Sequence, residues 1–165
     1  MPDFHFTHGD VADSLSIMRE ACQWLHDIGQ PMWHAEELTR RRLRNPADEF
    51  VVMRDTATGN SIATMLLSYH DPFFWPDVLP NASGFVHKLA VRRAYAGQGH
   101  GERLLAYAAD TCQANGVHAL RLDTDPHRPG LCALYERAGF VCVGMKAVTI
   151  PGWGRGDMAL YCMTL

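Results

Sequence analysis

Three glycines stand close together in the stretch "AGQGHGERLL" at residues 96–105. Gly97, Gly99 and Gly101 are followed directly by an apolar pattern of helical period. Glycine lacks a Cβ, so the backbone can turn sharply there and a ligand can approach it closely. The N-terminus of a helix presents N–H groups at the positive end of the helix dipole, which favours an anion such as phosphate. The stretch therefore predicts a phosphate-binding turn.

Two common phosphate motifs do not match this turn. A P-loop requires Lys and then Ser or Thr after its last glycine, and both are missing after Gly101. A dinucleotide-binding fingerprint requires G-x-G-x-x-G, whereas the spacing here is G-x-G-x-G followed by Glu102. These mismatches argue against ATP or NAD as the ligand. An ordinary strand-to-helix turn without a ligand is the alternative.

Length and composition indicate one globular domain over residues 1–165, with 47% hydrophobic and 20% charged residues. The net charge of −3 gives no electrostatic reason to expect nucleic acid or an anionic membrane as a partner. No run approaches the roughly 18 apolar residues of a membrane helix, and the N-terminus lacks the pattern of a signal peptide. We expect a cytoplasmic protein with no nucleic-acid or membrane partner.

Cysteines and histidines give no sign of a built-in metal. The five cysteines are widely spaced and none forms a C-x-x-C pair, which favours reduced thiols in a cytoplasm. The nine histidines include no H-x-x-x-H or H-E-x-x-H pair. The expectation from sequence is therefore no metal site.

Apolar periodicity predicts an α/β protein with a mixed sheet of about seven strands and about four helices. The predicted strands cover residues 3–8, 49–55, 61–69, 85–91, 118–124, 140–148 and 158–165. The predicted helices cover residues 11–29, 35–44, the segment after the glycine turn up to 115, and 129–139. The second and third strands form a hairpin, and the fourth and fifth need a crossover connection, which predicts a parallel pair.

The stretch "HKLAVRRAYAGQGHGERLL", followed further along by "ALYERAGF", resembles the GNAT family of acetyl-CoA-dependent N-acetyltransferases. The resemblance covers residues 84–146, the expected cofactor-binding core. It implies the family's twisted mixed sheet and acetyl transfer from acetyl-CoA to a primary amine. Two positions depart from the family pattern: Ala96 replaces Arg or Gln, and Arg128 replaces Asn. Those departures keep a non-catalytic acyl-CoA-binding module of the same fold as the alternative function.

The resemblance also implies where acetyl-CoA binds. Its pantetheine arm would pair with the fourth strand, and its pyrophosphate would lie in the glycine turn. The implied cofactor-binding residues are Leu89, Ala90, Val91, Gly97, Gln98, Gly99, His100, Gly101, Glu102, Arg128 and Tyr135. The Leu89 N–H is expected to face the thioester oxygen. Arg128 is expected either to reach a cofactor phosphate or to be a solvated surface residue.

Three residues are candidates for proton transfer. His87 alternates with Leu89 and Val91, which predicts that the three share one face of the strand. An unperturbed histidine titrates near neutral pH, and the strand is similar to that of arylalkylamine N-acetyltransferases. Asp123 matches the base position of ribosomal-protein N-acetyltransferases. Tyr135 matches the family's general acid, facing the leaving thiolate. Structural roles are the alternatives for all three: a core histidine, a strand-end carboxylate and a packed ring.

A covalent mechanism through Cys132 is a rival to direct transfer. A ping-pong acyl-cysteine would need a neighbour that stabilises the thiolate. Arg128, four residues earlier, is the candidate neighbour. Direct attack in a ternary complex is the favoured hypothesis.

Aromatic residues gather in the segments that line the acceptor site in this fold. We expect Trp33, Trp75 and Phe85 to contact the substrate, which favours an apolar or cationic amine because a ring face attracts ammonium. The acceptor is expected to be a small-molecule amine or a peptide N-terminus. The segment "PGWGRGD" at 151–157 is expected to be a flexible lid. A homodimer is expected by resemblance alone.

Overall fold

The computed structural model describes residues 3–43, 45 and 47–165. Seven strands are found in these residues: β1 (Phe4–His8), β2 (Glu49–Asp55), β3 (Ser61–Ser68), β4 (Gly84–Val91), β5 (Ala119–Thr124), β6 (Val141–Ile150) and β7 (Gly154–Thr164). Three α-helices accompany them: α1 (Val11–Asp27), α2 (His100–Ala114) and α3 (Pro129–Arg137). None of the helices in the described ranges is long and apolar enough to cross a membrane.

The strands form one mixed sheet in the order β1-β2-β3-β4-β5-β7-β6. The hairpin of β2 and β3 is antiparallel, and β4 pairs with β5 in parallel through Gly84↔Leu120 and Phe85↔Arg121. The seven-stranded mixed α/β fold predicted from the sequence is thus confirmed, including the parallel pair. The parallel ladder spans only those two residue pairs, at the start of β4.

The helix predicted at residues 35–44 is wrong. Its described part contains a single 3-10 turn at Ala35–Glu37. The carbonyl of the fully buried Leu38 accepts hydrogen bonds from Arg19 Nε and Nη2 at 3.0 and 2.8 Å. Because this carbonyl is bound by a side chain of α1, it does not serve as a helical acceptor, and the chain turns instead. Arg44, the last residue of the predicted helix, lies outside the described residues.

The chain divides into two compact units. The first unit comprises Met1–Leu67 and Lys88–Leu104, and the second comprises Ser68–His87 and Leu105–Leu165. Strand β4 and helix α2 each continue from one unit into the other. The assignment of one domain to residues 1–165 stays a prediction.

In the first unit, α1 begins at the N-cap Asp10, whose carboxylate accepts a hydrogen bond from the Asp13 N–H at 3.2 Å. Arg54 of β2 forms ion pairs with both of these carboxylates. The apolar side of α1 packs into a core cluster formed by Ile17, Met18, Cys22, Leu38, Phe50, Val52, Leu66 and Ala90. This cluster supports the end of β4 from which the glycine turn departs.

In the second unit, α3 fixes the position of Tyr135. Pro129 occupies the first turn of this helix, where its missing N–H costs nothing. Gly139 ends the helix with a φ of +102°, and a Cβ there would lie 3.3 Å from Met163 Sδ. The Phe140 N–H then donates to the Tyr135 carbonyl at 3.0 Å. Proline at its start and the glycine turn at its end therefore define this short helix.

The predicted flexible lid at 151–157 is wrong for its second half. Residues from Gly154 onward belong to β7 and pair with β6, as in Gly154↔Ile150 and Gly156↔Val148. The hairpin is longer than expected because backbone pairing continues through these glycines. Only residues 151–153 form the turn.

Candidate active site

The glycine turn has the backbone conformation that its sequence predicts. Gly97 and Gly99 have φ values of +73° and +77°, in the left-handed region that side chains with a Cβ rarely adopt. Helix α2 begins immediately afterwards at His100. The first N–H groups of an α-helix have no acceptor within the helix, so they are suited to an anion. The turn is thus a structural candidate for phosphate binding within the first unit.

Arg103 adds a positive charge to this turn, which sequence reasoning did not single out. Its Nη1 donates to the Gln98 carbonyl at 2.8 Å and lies 3.2 Å from His100 Nδ1. Its guanidinium also lies over the Phe4 ring, 5.1 Å from the ring centre. The side chain is exposed and folded back over the loop. The sequence did carry a signal for this role. Arg103 is a cation in the first turn of α2, and the family's Arg or Gln before the glycines is replaced here by Ala96.

The side chain of His100 packs into the protein interior next to the turn. It is buried, with edge-to-face contacts to Phe4 at 5.1 Å and Tyr95 at 6.1 Å between ring centres. Burial, and then the charge of Arg103, lower the pKa of His100 below its ordinary value. The imidazole is therefore neutral at pH 7. His100 contributes its backbone and its packing to the loop, and no positive charge.

Strand β4 is irregular at the point where the resemblance places the thioester. Lys88 has a φ of +53°, a left-handed conformation that is uncommon in a side chain with a Cβ. This residue interrupts the regular alternation of side chains, so the reasoning that put His87 on one face with Leu89 and Val91 does not hold across it. The Lys88 ammonium lies over the Trp33 ring at 5.1 Å. Trp33 is partly buried against the core cluster of the first unit.

In the second unit, three side chains with acid–base chemistry come together. His87 Nε2 lies 3.7 Å from Asp71 Oδ2. Asp123 completes the group, because one ligand-type atom from each of the three residues lies within 4.8 Å of the others. We call this group the carboxylate–histidine cluster. His87 and Asp123 were predicted from the sequence as candidate bases, and the structure brings them together.

Asp71 was missed by sequence reasoning. It follows β3 at the start of a loop, and its Oδ1 accepts a hydrogen bond from the Phe74 N–H at 3.0 Å. Its backbone carbonyl accepts from the Trp75 N–H at 3.0 Å. This tight turn buries Asp71 and directs Oδ2 toward His87. The only sequence signal was an Asp-Pro pair after a buried strand, which is typical of turn initiation in general.

Two aromatic rings, Trp75 of this loop and Phe85 of β4, lie close to each other. Their ring centres lie 6.5 Å apart, and the Arg121 guanidinium lies 4.8 Å from the Trp75 ring centre. Arg121 Nε also donates to Ser83 Oγ at 2.9 Å, which ties the loop to β5. Phe85 has no exposed surface. Trp75 is also buried, and contact of either ring with a substrate stays a prediction.

Tyr135 is buried in the second unit, with its ring 6.1 Å from Phe140 and 6.0 Å from Tyr161. Burial raises the pKa of Tyr135 far above its ordinary value, and the negative charge of Asp123 raises it further. The phenol is therefore neutral at any physiological pH. A neutral phenol is a hydrogen-bond donor, which is the role predicted for this residue.

The surroundings of Cys132 and Arg128 bear on the covalent alternative. Arg128 Nε lies 3.4 Å from Asp125 Oδ2, so its charge is shared with a carboxylate rather than directed at a thiol. Cys132 Sγ lies 3.9 Å from the Asp125 carbonyl. The side chains of Tyr161 and Cys132 are also hydrogen-bonded to each other. A phenol is a weaker partner for a thiolate than a cation is, so these contacts favour the direct route over an acyl-cysteine. Whether Arg128 contacts a cofactor phosphate stays a prediction.

Comparison with known proteins assigns the class. The model of the acetyltransferase (GNAT) family matches residues 18–140, most of the chain. The chain therefore belongs to the GNAT acetyltransferase family, as its sequence motifs predicted. The match extends well upstream of the residues that carried the resemblance.

Individual relatives agree with this assignment. The uncharacterized N-acetyltransferase YesJ of Bacillus subtilis (strain 168) is 27% identical over 148 residues, covering 84% of this chain and 80% of that protein. A GNAT family acetyltransferase from Listeria monocytogenes 4b F2365 has the same fold, with a TM-score of 0.77, 21% identity, and 98% and 95% of the two chains covered. A GNAT family acetyltransferase from Elizabethkingia anophelis, solved with acetyl-CoA bound, gives a TM-score of 0.58 at 18% identity, covering 73% and 78%.

Proposed function

We propose that this protein transfers an acetyl group from acetyl-CoA to a primary amine by direct attack within a ternary complex. The observation that carries the proposal is the pairing, in one unit, of the carboxylate–histidine cluster with the buried, neutral Tyr135. These groups can accept a proton from an amine and donate a hydrogen bond to a leaving thiolate. Family membership supports acetyl transfer as the reaction class.

The cofactor is proposed to bind through the turn at residues 97–102. Its backbone N–H groups would hold the pyrophosphate, and Arg103 would supply the charge that Ala96 lacks. The main chain of Leu89, Ala90 and Val91 would pair with the pantetheine arm. The relative from Elizabethkingia anophelis, which was solved with acetyl-CoA, supports the choice of cosubstrate.

The amine must lose a proton before it attacks, because a primary amine is largely protonated at pH 7. His87 is proposed to accept this proton at Nε2. Asp71 and Asp123 attract the incoming ammonium and stabilise the imidazolium that forms. The free amine nitrogen then bonds to the thioester carbonyl carbon, and the Leu89 N–H stabilises the oxyanion.

The tetrahedral intermediate collapses when the carbon–sulfur bond breaks and its electron pair stays on sulfur. The former amine nitrogen loses its remaining extra proton to solvent, which leaves a neutral amide and the CoA thiolate. Tyr135 is proposed to donate a hydrogen bond to this thiolate. A free thiol is more acidic than a phenol, and the pKa of Tyr135 is raised further. Full proton transfer from the phenol is therefore uphill, and we expect the hydrogen bond alone to stabilise the leaving group.

The reaction is tested by measuring CoA thiol release with a panel of primary amines that includes small amines and peptides with free N-termini. We expect release that depends on both acetyl-CoA and an amine, with an acetylated amine detected by mass spectrometry. Tyr135→Phe should lose turnover, whereas Tyr107→Phe, in the part of α2 that belongs to the same unit, should not. Acetyl-CoA-dependent modification of Cys132 without an amine would favour the ping-pong route instead.

A non-catalytic acyl-CoA-binding module is the second candidate. It is favoured by one observation, namely that Ala96 and Arg128 both depart from the family pattern at cofactor-contacting positions. This alternative predicts acetyl-CoA binding with no thiol release across the whole amine panel. A cytoplasmic location and a homodimer remain part of the proposal and await fractionation and light-scattering measurements.

A further inference from the structure

The carboxylate–histidine cluster also has the composition of a transition-metal site. We propose that Asp71, His87 and Asp123 bind one divalent metal ion of the Zn²⁺ type, and that its occupancy inhibits acetyl transfer. Metal binding stands on the structure alone, while the inhibitory effect rests on the proposed function. Spacing motifs in the sequence gave no hint of this site, because its three ligands come from two strands and a loop that are far apart in the chain.

The ligand types and distances fit one ion. An imidazole nitrogen and carboxylate oxygens are both ligand types that bind Zn²⁺, at bond lengths of about 2.0–2.2 Å. Two ligand atoms on one tetrahedral ion therefore lie about 3.4 Å apart. His87 Nε2 and Asp71 Oδ2 are 3.7 Å apart, close to that spacing. The third ligand atom lies within 4.8 Å, so a rotation of the half-buried Asp123 side chain brings it into range.

Asp71 provides an independent indication that a cation belongs here. Its side chain is only 8% exposed, and its Oδ2 has no hydrogen-bond partner among the described residues. A buried carboxylate oxygen without such a partner carries a large desolvation cost. The oxygen is directed at His87 Nε2, but the separation exceeds hydrogen-bonding distance. A metal ion between the two atoms would give the Asp71 oxygen a partner.

Charge supports the same conclusion. The two carboxylates together would bring a charge of −2 to the cluster, which a divalent ion would neutralise. Arg121 lies two residues from Asp123 on β5, but it is bound to Ser83 and stacked on Trp75. Lys146 approaches the same loop, but it donates to the Phe73 carbonyl at 2.5 Å. Arg121 and Lys146 are thus held by other partners.

Occupancy would stop the proposed reaction for a simple reason. A metal ion on His87 Nε2 takes the lone pair that would accept the proton of the amine. Inhibition should therefore be competitive with the acceptor amine, be relieved by a chelator, and leave acetyl-CoA binding unchanged.

The test is Zn²⁺ titration of the full-length, chelator-treated protein by calorimetry without acetyl-CoA or amine. We expect one site per chain, and an affinity loss of at least about 10-fold in Asp71→Asn, His87→Gln and Asp123→Asn. His8→Gln is the matched control, because it removes an exposed histidine that lies 3.0 Å from a carboxylate, Glu49. Any variant with a lowered melting temperature is set aside. The Zn²⁺ affinities of the variants that keep the wild-type melting temperature then decide whether the cluster binds the ion.

Cobalt spectroscopy separates this site from adventitious thiol binding. Co²⁺ bound by His and Asp gives ligand-field bands without the charge-transfer band of a thiolate ligand. A thiolate band that disappears in Cys142→Ser, or Zn²⁺ affinity unchanged in the cluster variants, would overturn the proposal. Absence of binding overturns it too, even if the enzyme is active. Conversely, a metal site in a protein without transferase activity would refute the proposed function and leave this inference standing.

Discussion

The glycine turn and the carboxylate–histidine cluster are encoded in different ways. All residues of the turn lie within one short stretch, and its conformation depends on local features, namely the positive φ of Gly97 and Gly99 and the start of α2. The cluster draws Asp71, His87 and Asp123 from a loop and two strands, and its geometry depends on tertiary packing around Trp75. The difference fits the proposed roles, in which the turn binds the cofactor and the cluster carries out the acid–base chemistry.

The largest effect is expected for Tyr135→Phe. Removing the phenol hydroxyl deletes the hydrogen bond to the leaving thiolate and leaves the packing on Phe140 and Tyr161 intact. We expect kcat to fall about 100-fold, with the Kd of acetyl-CoA unchanged, measured by thiol release and calorimetry. A parallel loss of cofactor affinity would break the division between binding and chemistry.

A smaller effect is expected for Asp71→Asn. Asparagine keeps the Oδ1 acceptor for the Phe74 N–H and removes the negative charge facing His87. We expect about a 10-fold fall in kcat, with the loop still folded. The exposed Asp77 lies in the same loop, so Asp77→Asn is the control for charge. Equal activity of both variants and the wild type would show that Asp71 has no part in positioning His87.

Arg103→Ala is expected to change cofactor binding and leave turnover unchanged, the reverse of the two variants above. Loss of a charge-assisted contact to phosphate should weaken acetyl-CoA binding about 5-fold, corresponding to about 1 kcal/mol, with kcat at saturation unchanged. The weakening should diminish at high salt. Arg41→Ala removes another exposed arginine of the same unit and should leave the Kd at its wild-type value. If the two variants behave alike, Arg103 is not a phosphate ligand.

The smallest expected effect is the contribution of His100 to the pH dependence of the free energy of unfolding. The pKa of His100 in the folded protein lies below its ordinary value of 6.5. The unfolded chain therefore binds a proton first as the pH falls, so the free energy of unfolding decreases from about pH 6.5 down to the folded pKa. Urea denaturation at pH 7.5 and 5.5 should show less acid sensitivity in His100→Gln than in the wild type. The exposed His26, replaced by Gln, serves as the control.

The sequence predicted local features better than long-range ones. The strands and α1, α2 and α3 follow from periodicity and from Pro and Gly positions. The helix expected at 35–44 failed because a side chain from α1, Arg19, binds the Leu38 carbonyl. Asp71 could not be predicted as a member of the cluster, because its place beside His87 depends on the tertiary fold of its loop. Phe85 is fully buried, which its position on the strand did not show.

The proposed function requires that the glycine turn binds the phosphates of acetyl-CoA. The most direct measurement is the melting temperature with acetyl-CoA, CoA, ATP and NAD added separately. At 100 times its Kd, a ligand stabilises the folded state by about 2.7 kcal/mol, or about 5–10 °C for a chain of this size. We predict that acetyl-CoA and CoA give such a shift and that ATP and NAD do not. No shift with acetyl-CoA or CoA at millimolar concentration would contradict the account.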